Sequence, residues 1–306
     1  MSVQSPPPLI GCVVIGRNEG ERLSRCLASV VGRYDAIVYV DSGSADDSLV
    51  RAAQAGVEVI SLSDDQPFTA ARARNAGAEK LGTILPGVAF IQFIDGDCSL
   101  ATHWPATALS VMQRSADLAA VCGRRREWRP HASPYNRLCD QEWDTPCGET
   151  RTCGGDALVR VAAFDAVGGF RAALIAGEEP DLCFRMRAQG WKICRIAADM
   201  TEHDAAMERF GQWWQRNRRS GFATAEALAL RGRHEPQLIR EASSNLFWSL
   251  PPAWLLWPVL WLRIATRRGR LAANYMTIGK IPHSLGQIDF LMSKIKNKKM
   301  SLIEYK

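Results

Sequence analysis

Two aspartates one residue apart, Asp95 and Asp97, close the apolar run in VAFIQFIDGDCSL. Carboxylates this close repel, and a bound Mg²⁺ or Mn²⁺ turns that repulsion into coordination while also holding a diphosphate. Asp and Gly are equally ordinary turn residues, so the pair alone leaves both readings open. Asp41 ends a second apolar run in VYVDSGSADDS. A carboxylate there can accept hydrogen bonds from a nucleobase or ribose, or the segment can serve as turn and helix cap through Ser44 or Asp46. Glu178 and Glu179 open GEEPDLCFRMRAQGW, where acids in the first turn of a helix favour its dipole. His203 in DMTEHDAAM is open between a structural histidine and a ligand.

These residues need elements to hold them. LIGCVVIG, DAIVYVD, VEVISL and VAFIQFIDGD read as buried strands, and NEGERLSRCLASVV, ADDSLVRAAQAG and TAARARNAGAEKL as the helices between them. That β-α-β alternation predicts an α/β fold, a mostly parallel sheet flanked by helices, with ligands at the carboxyl ends of the strands. After residue 100 the pattern is mixed. ATHWPATALSVMQRS reads as a helix and LAAVCGRR as a strand, and a long irregular or partly helical connection runs from Trp128 to Gly155. A strand DALVRV, two helices and a strand WKICRI follow. The expected organisation is one catalytic domain over 1–205 and an appended helical region over 206–306.

The 306 residues are 47% hydrophobic and 23% charged, as in a globular enzyme, and carry a net charge of +6. The charge is uneven. From Arg263 to the end there are ten Lys/Arg, including Lys298, Lys299 and Lys306, against Asp289 and Glu304, so the rest of the chain is slightly acidic. A basic end suggests an anionic surface as partner. Nine cysteines without paired CxxC spacing suit a reduced compartment better than disulfides or a zinc site. The start, MSVQSPPPLIGCVV, does not read as a secretory leader, which predicts a cytoplasmic protein. VVIGRNEG does not make a dinucleotide fingerprint, because Gly16 and Gly20 do not complete GxGxxG.

In order along residues 9–204, VVIGRNEGERLSRCLASV, VYVDSGSADDS, ARARNAG, FIDGDC, CGGDALVRVAAFDAVGGF and GEEPDLCFRMRAQGW resemble the family 2 glycosyltransferases of GT-A fold. The resemblance implies transfer of a sugar from a nucleotide diphosphate donor, usually with inversion and a divalent metal, Mg²⁺ or Mn²⁺. It implies that Asp41 recognises the base, that Arg74 and Asn75 lie near the donor, and that Asp95 and Asp97 form the metal-binding pair with Asp97 the ligand. Ser42 stands where many members have a second Asp. Glu179 falls at the position of the catalytic base, preceded by Glu178, and His203 where several members bind metal or diphosphate. Such a base must reach an acceptor hydroxyl and take its proton as the oxygen attacks the anomeric carbon. UDP is the favoured donor nucleotide by family frequency. FGQWWQRNRRSG differs from the QxxRW motif of processive members, so a non-processive enzyme is expected.

LFWSLPPAWLLWPVLWLRIA (246–265) is interrupted by Pro251, Pro252 and Pro258 and contains Arg263. Trp254, Trp257 and Trp261 make an aromatic stripe suited to headgroup depth, and the cations that follow suit anionic lipid. The expectation is a peripheral enzyme on the inner face of the cytoplasmic membrane with a glycan or lipid-linked acceptor. A nucleotidyltransferase and an inactive membrane adaptor are the rival readings. Nucleic acid ranks last, since no recognition module accompanies the basic tail.

Overall fold

A computed structural model describes residues 7–296, so the expected cations Lys298, Lys299 and Lys306 lie outside the described residues. The chain divides into two compact units. One comprises the chain up to Trp128, Glu142–Leu174 and Glu178–Ala205; the other comprises Arg129–Gln141, Ile175–Gly177 and the chain from Ala206.

The first unit is built on one sheet. Its elements run β1 (Ile10–Gly16), α1 (Glu21–Val30), β2 (Ala36–Asp41), α2 (Ser48–Gln54), β3 (Glu58–Ser61), α3 (Ala70–Ile84), β4 (Phe90–Asp95), β5 (Cys98–Leu100), α4 (Trp104–Arg114) and β6 (Leu118–Glu127). After α5 (Pro134–Glu142), most of which belongs to the second unit, come β7 (Gly148–Thr150), β8 (Ala157–Arg160), α6 (Val161–Ala166), α7 (Glu178–Ala188) and β9 (Lys192–His203). The strand order is β3-β2-β1-β4-β8-β6-β9-β5, with β7 paired to β9. Strands β3, β2, β1, β4, β6 and β9 run one way, while β8, β5 and β7 run against them.

Local sequence explains these elements. The β-branched run Val13, Val14, Ile15 is buried in β1, as continuous apolar strands covered on both faces must be. In α1, Leu23, Cys26, Leu27 and Val30 occupy one helical face and are buried. Thr69 caps α3 by accepting from the Arg72 amide. Gly77 lets α3 approach the sheet, because a Cβ there would run into Val13.

Pairing register then places the chemistry. Gly16 of β1 lies opposite Asp41 of β2, and Ile15 lies opposite Asp95 of β4, so both aspartates reach the same rim. Cys98 of β5 and Glu127 of β6 both pair with His203 at the end of β9. β9 extends well past the predicted WKICRI, because residues up to His203 keep pairing with β6 and β5 although Asp199, Thr201 and Glu202 interrupt the apolar pattern.

The second unit is helical: α8 (Phe210–Arg231), α9 (Pro236–Ser249), a 3₁₀ turn (Pro251–Leu256), α10 (Trp257–Ile278) and α11 (Lys280–Ile295). Phe222 of α8 meets Phe290 of α11 edge-on at 5.3 Å, and Arg218 grips Asp289 through two hydrogen bonds. Gly221 and Gly286 permit this contact, since a Cβ at either would strike the facing helix backbone. Trp213 packs against Phe210, Tyr135 and Tyr275, so the aromatic face of α8 is used for packing. Pro251 and Pro252 open the 3₁₀ turn and Pro258 sits in the first turn of α10, where a missing N–H costs nothing. Among the described residues no helix is long and apolar enough to cross a membrane.

Candidate active site

The rim residues divide into three groups by partner. Asp95 at the tip of β4 is held by two guanidinium groups: Arg74 Nη2 donates to Oδ1 at 2.7 Å and Arg125 Nη2 to Oδ2 at 3.2 Å. Arg74, buried in α3, donates its other branch to Glu178 Oε1 at 2.8 Å. Arg125 of β6 also grips Asp156 at 2.7 Å, and Asp156, fully buried, accepts from the Asp95 amide and the Thr201 hydroxyl. A continuous charged network therefore runs from Glu178 at the head of α7 through Arg74, Asp95 and Arg125 to Asp156. Gly155 makes room for it, because a Cβ there would lie 2.8 Å from Arg74 Nη2 and 2.9 Å from Asp95 Oδ2.

Asp97 belongs to a second group. Its Oδ2 lies 3.3 Å from His203 Nε2, and the other imidazole nitrogen, Nδ1, faces Glu127 Oε2 at 3.9 Å, is buried and has no hydrogen-bond partner. Trp143 stands edge-on against the ring at 4.7 Å. Burial pushes the His203 pKa below its ordinary value, which favours a neutral imidazole with a single ring proton. Whichever nitrogen carries that proton, the other presents a lone pair to a carboxylate. A dication on Nε2 and Asp97 removes this conflict, since the proton can then sit on Nδ1 towards Glu127, the usual support for a metal-bound histidine. Asp97 with the neighbouring imidazole offers a carboxylate–nitrogen donor pair to a dication, whereas both oxygens of Asp95 already carry guanidinium contacts.

Glu179 forms the third group with two cysteines. Its Oε1 accepts from the Cys153 amide at 2.6 Å and from the Cys183 thiol at 2.9 Å, and the side chain turns inward with the residue 7% exposed. Burial raises its pKa above the ordinary carboxylate value, and the hydrogen bonds from Cys183 and Cys153 moderate the rise. A raised proton affinity is the direction that suits a general base.

The other expected residues are engaged locally. Asp41, 1% exposed, accepts from the Tyr39 hydroxyl, the Gly43 and Ser44 amides and the Ser44 hydroxyl, which is the turn geometry weighed above. Asn75 uses both ends of its amide on the Phe170 backbone, at 2.8 and 2.9 Å, and so pins the segment before α7. Outside that set, Arg185 bonds Asp181 and the carbonyls of Val167 and Gly169, a structural use. Sequence reasoning assigned no role to Arg125, Glu127, Trp143, Gly155 or Asp156. Only Gly155 and Asp156 carried a signal, as part of the motif CGGDALVRV.

Residues 12–174 match the family described as Glycosyl transferase family 2. The solved mannosyltransferase PcManGT from Pyrobaculum calidifontis, in complex with GDP-Man and Mn²⁺, is similar in fold, with TM-score 0.65 and 15% identity over 95% of this chain and 89% of that one. Staphylococcus aureus TarS, residues 1–349, gives TM-score 0.53 at 14% identity over 95% and 92%. A curated TPR repeat-containing protein, Synpcc7942_0270 of Synechococcus elongatus, is 30% identical over 128 residues, which are 42% of this chain but only 29% of that protein. With more than half of the chain inside the family match, on a sheet shared with GT-A glycosyltransferases, the chain belongs to glycosyl transferase family 2.

Proposed function

We propose that the protein transfers a sugar from a nucleotide diphosphate donor to a hydroxyl of an acceptor glycan or lipid-linked glycan, with inversion at the anomeric carbon and with Mg²⁺ or Mn²⁺ as cofactor. The observation that carries the proposal is the buried Asp97–His203 pair, in which a neutral imidazole and a carboxylate face each other at 3.3 Å with the second ring nitrogen unpartnered. When bound, the cation supplies neutralisation of the charge that builds on the departing diphosphate. Asp97 and His203 would hold it.

The chain's own residues supply the remainder. Arg74 and Arg125 fix Asp95 and Glu178 so that the rim keeps one geometry without reorganising during reaction. Glu179 takes the proton of the acceptor hydroxyl as that oxygen displaces the nucleotide in a single in-line step. Asp41 reads the base or ribose by exchanging part of its turn hydrogen bonds for the ligand. The family resemblance favours a UDP-sugar, while the Pyrobaculum enzyme holds GDP-Man, so both nucleotides belong in the assay.

Residues 246–262 support peripheral attachment to an anionic membrane. Leu255 is 85% and Val259 65% exposed, and Leu246, Phe247, Leu250, Leu256 and Leu262 are exposed beside them. Arg263, Arg267, Arg268 and Arg270 follow, all exposed. Trp254, Trp257 and Trp261 line one groove with Phe210 and Tyr275, and Trp254 is also 45% exposed. Trp254 and the aliphatic residues beside it are the ones that would enter lipid. The functional test is nucleotide release from UDP- and GDP-sugars with and without Mn²⁺, followed by the anomeric configuration of the product. Cation-dependent turnover with an inverted linkage is expected. Retention, or pyrophosphate release from a nucleoside triphosphate, would overturn it.

A further inference from the structure

Three clusters of ligand-type side chains occur among the described residues, and they differ in how their charge is balanced. Asp95, Cys98 and Asp156 are neutralised by Arg74 and Arg125. Asp97, Cys98 and His203 belong to the site above. The third, Cys153, Glu179 and Cys183, has no cation paired with its carboxylate.

We propose that Cys153, Cys183 and Glu179 form a second, inhibitory metal site that takes a soft thiophilic dication of the Zn²⁺ class. The two Sγ atoms stand 3.5 Å apart, and Cys183 Sγ lies 2.9 Å from Glu179 Oε1. Tetrahedral zinc, with Zn–S of about 2.3 Å and Zn–O of about 2.0 Å, needs S···S and S···O separations of about 3.8 and 3.5 Å. The S···S edge therefore has to open by about 0.3 Å and the Cys183–Glu179 edge by about 0.6 Å, and all three ligand atoms already lie within 4.8 Å of one another. Cys183 and Glu179 are four residues apart on one face of α7, and Cys153 comes from the loop joining β7 to β8, which can give by that amount.

Binding displaces both thiol protons to solvent: one dication, two thiols and one carboxylate give a dithiolate–carboxylate complex, with a water in the fourth position, and two H⁺. No oxidant is needed. Two thiolates make this the softer site, whereas Asp97 and His203 are joined by the single thiol of Cys98. The inhibitory consequence rests on Glu179 being the base, because an oxygen coordinated to metal no longer accepts the acceptor's proton.

The test uses the full chain, saturated with Mg²⁺, titrated with Zn²⁺ by calorimetry in buffers of different ionisation enthalpy, and with Co²⁺ followed by absorption. One zinc per chain, two protons released and a thiolate-to-cobalt charge-transfer band are expected. Cys153→Ser and Cys183→Ser should each weaken zinc at least tenfold, with folding checked by circular dichroism, while Asp97→Asn should keep the band. No thiolate band, or zinc affinity unchanged in both serine variants, overturns the site. A full band with transfer undiminished at saturating zinc overturns the inhibition and removes Glu179 as the base, leaving the metal site standing.

Discussion

Replacing Arg74 by lysine probes the network that joins α7 to the tip of β4. The guanidinium fork spans Asp95 at 2.7 Å and Glu178 at 2.8 Å, and Arg74 is 2% exposed. A lysine carries one ammonium and can serve one carboxylate at a time, so one charge-assisted hydrogen bond, worth about 1.5–3 kcal/mol, is lost. The two acids are partly solvated, at 27% and 14% side-chain exposure, which places the loss towards the middle of that range, at about 2 kcal/mol. Such a loss corresponds to about a 30-fold change in an equilibrium constant. In thermal unfolding of the 306-residue chain it corresponds to a midpoint lowered by about 3 °C. Differential scanning calorimetry reads the midpoint, and initial rates of nucleotide release read kcat/KM, which should drop by at least tenfold because Asp95 and Glu178 no longer share one anchor. A midpoint within about 1 °C of the parent and kcat/KM within twofold would refute the bridging role.

Glu179→Gln should leave donor binding intact and abolish transfer, and full activity in that variant would move the base to Glu178 or Asp181. Because burial raises the Glu179 pKa, the folded chain holds that proton more tightly than the unfolded chain. Its contribution to stability therefore falls as pH rises from the ordinary glutamate value through the raised one, and the glutamine variant should show a flatter pH–stability curve over that window. The acid limb of kcat/KM against pH should likewise lie above the ordinary carboxylate value. Gly155→Ala places a methyl against Arg74 and Asp95 and should cut turnover at least tenfold without altering the circular dichroism spectrum. The double variant Leu255→Asp, Val259→Asp should no longer pellet with anionic vesicles, whereas equal sedimentation of both proteins would locate the lipid contact elsewhere.

The strands and helices up to Asp95 were legible because each buried strand is a short apolar run bounded by turn residues and each helix has an apolar face at 3.6-residue spacing. The rim carboxylates were legible because strands deliver their last residues to one edge of the sheet. What keeps Asp95 and Asp97 from repelling was not. Asp95 is neutralised by Arg74 and Arg125 from α3 and β6, and Asp97 faces His203, and no local pattern pairs residues so far apart in the chain. Arg125 sits in a run of three arginines that looks like an ordinary solvated edge, and Asp156 opens the strand DALVRV with nothing local to name its partner. Asn75 matched a donor-side motif, yet both ends of its short amide are engaged by the Phe170 backbone. The inward turn of Glu179 towards two thiols was likewise invisible, since Cys153 lies 26 residues before it.

The most direct test of a cation held by Asp97 and His203 is calorimetric titration of UDP and GDP into the full chain with and without Mn²⁺, repeated on Asp97→Asn. Binding of one of the two nucleotides that requires Mn²⁺, and that weakens at least tenfold in the variant, is the expected result. Equal affinity without the ion, or an unaltered Asp97→Asn, would contradict a metal-dependent donor site at that rim.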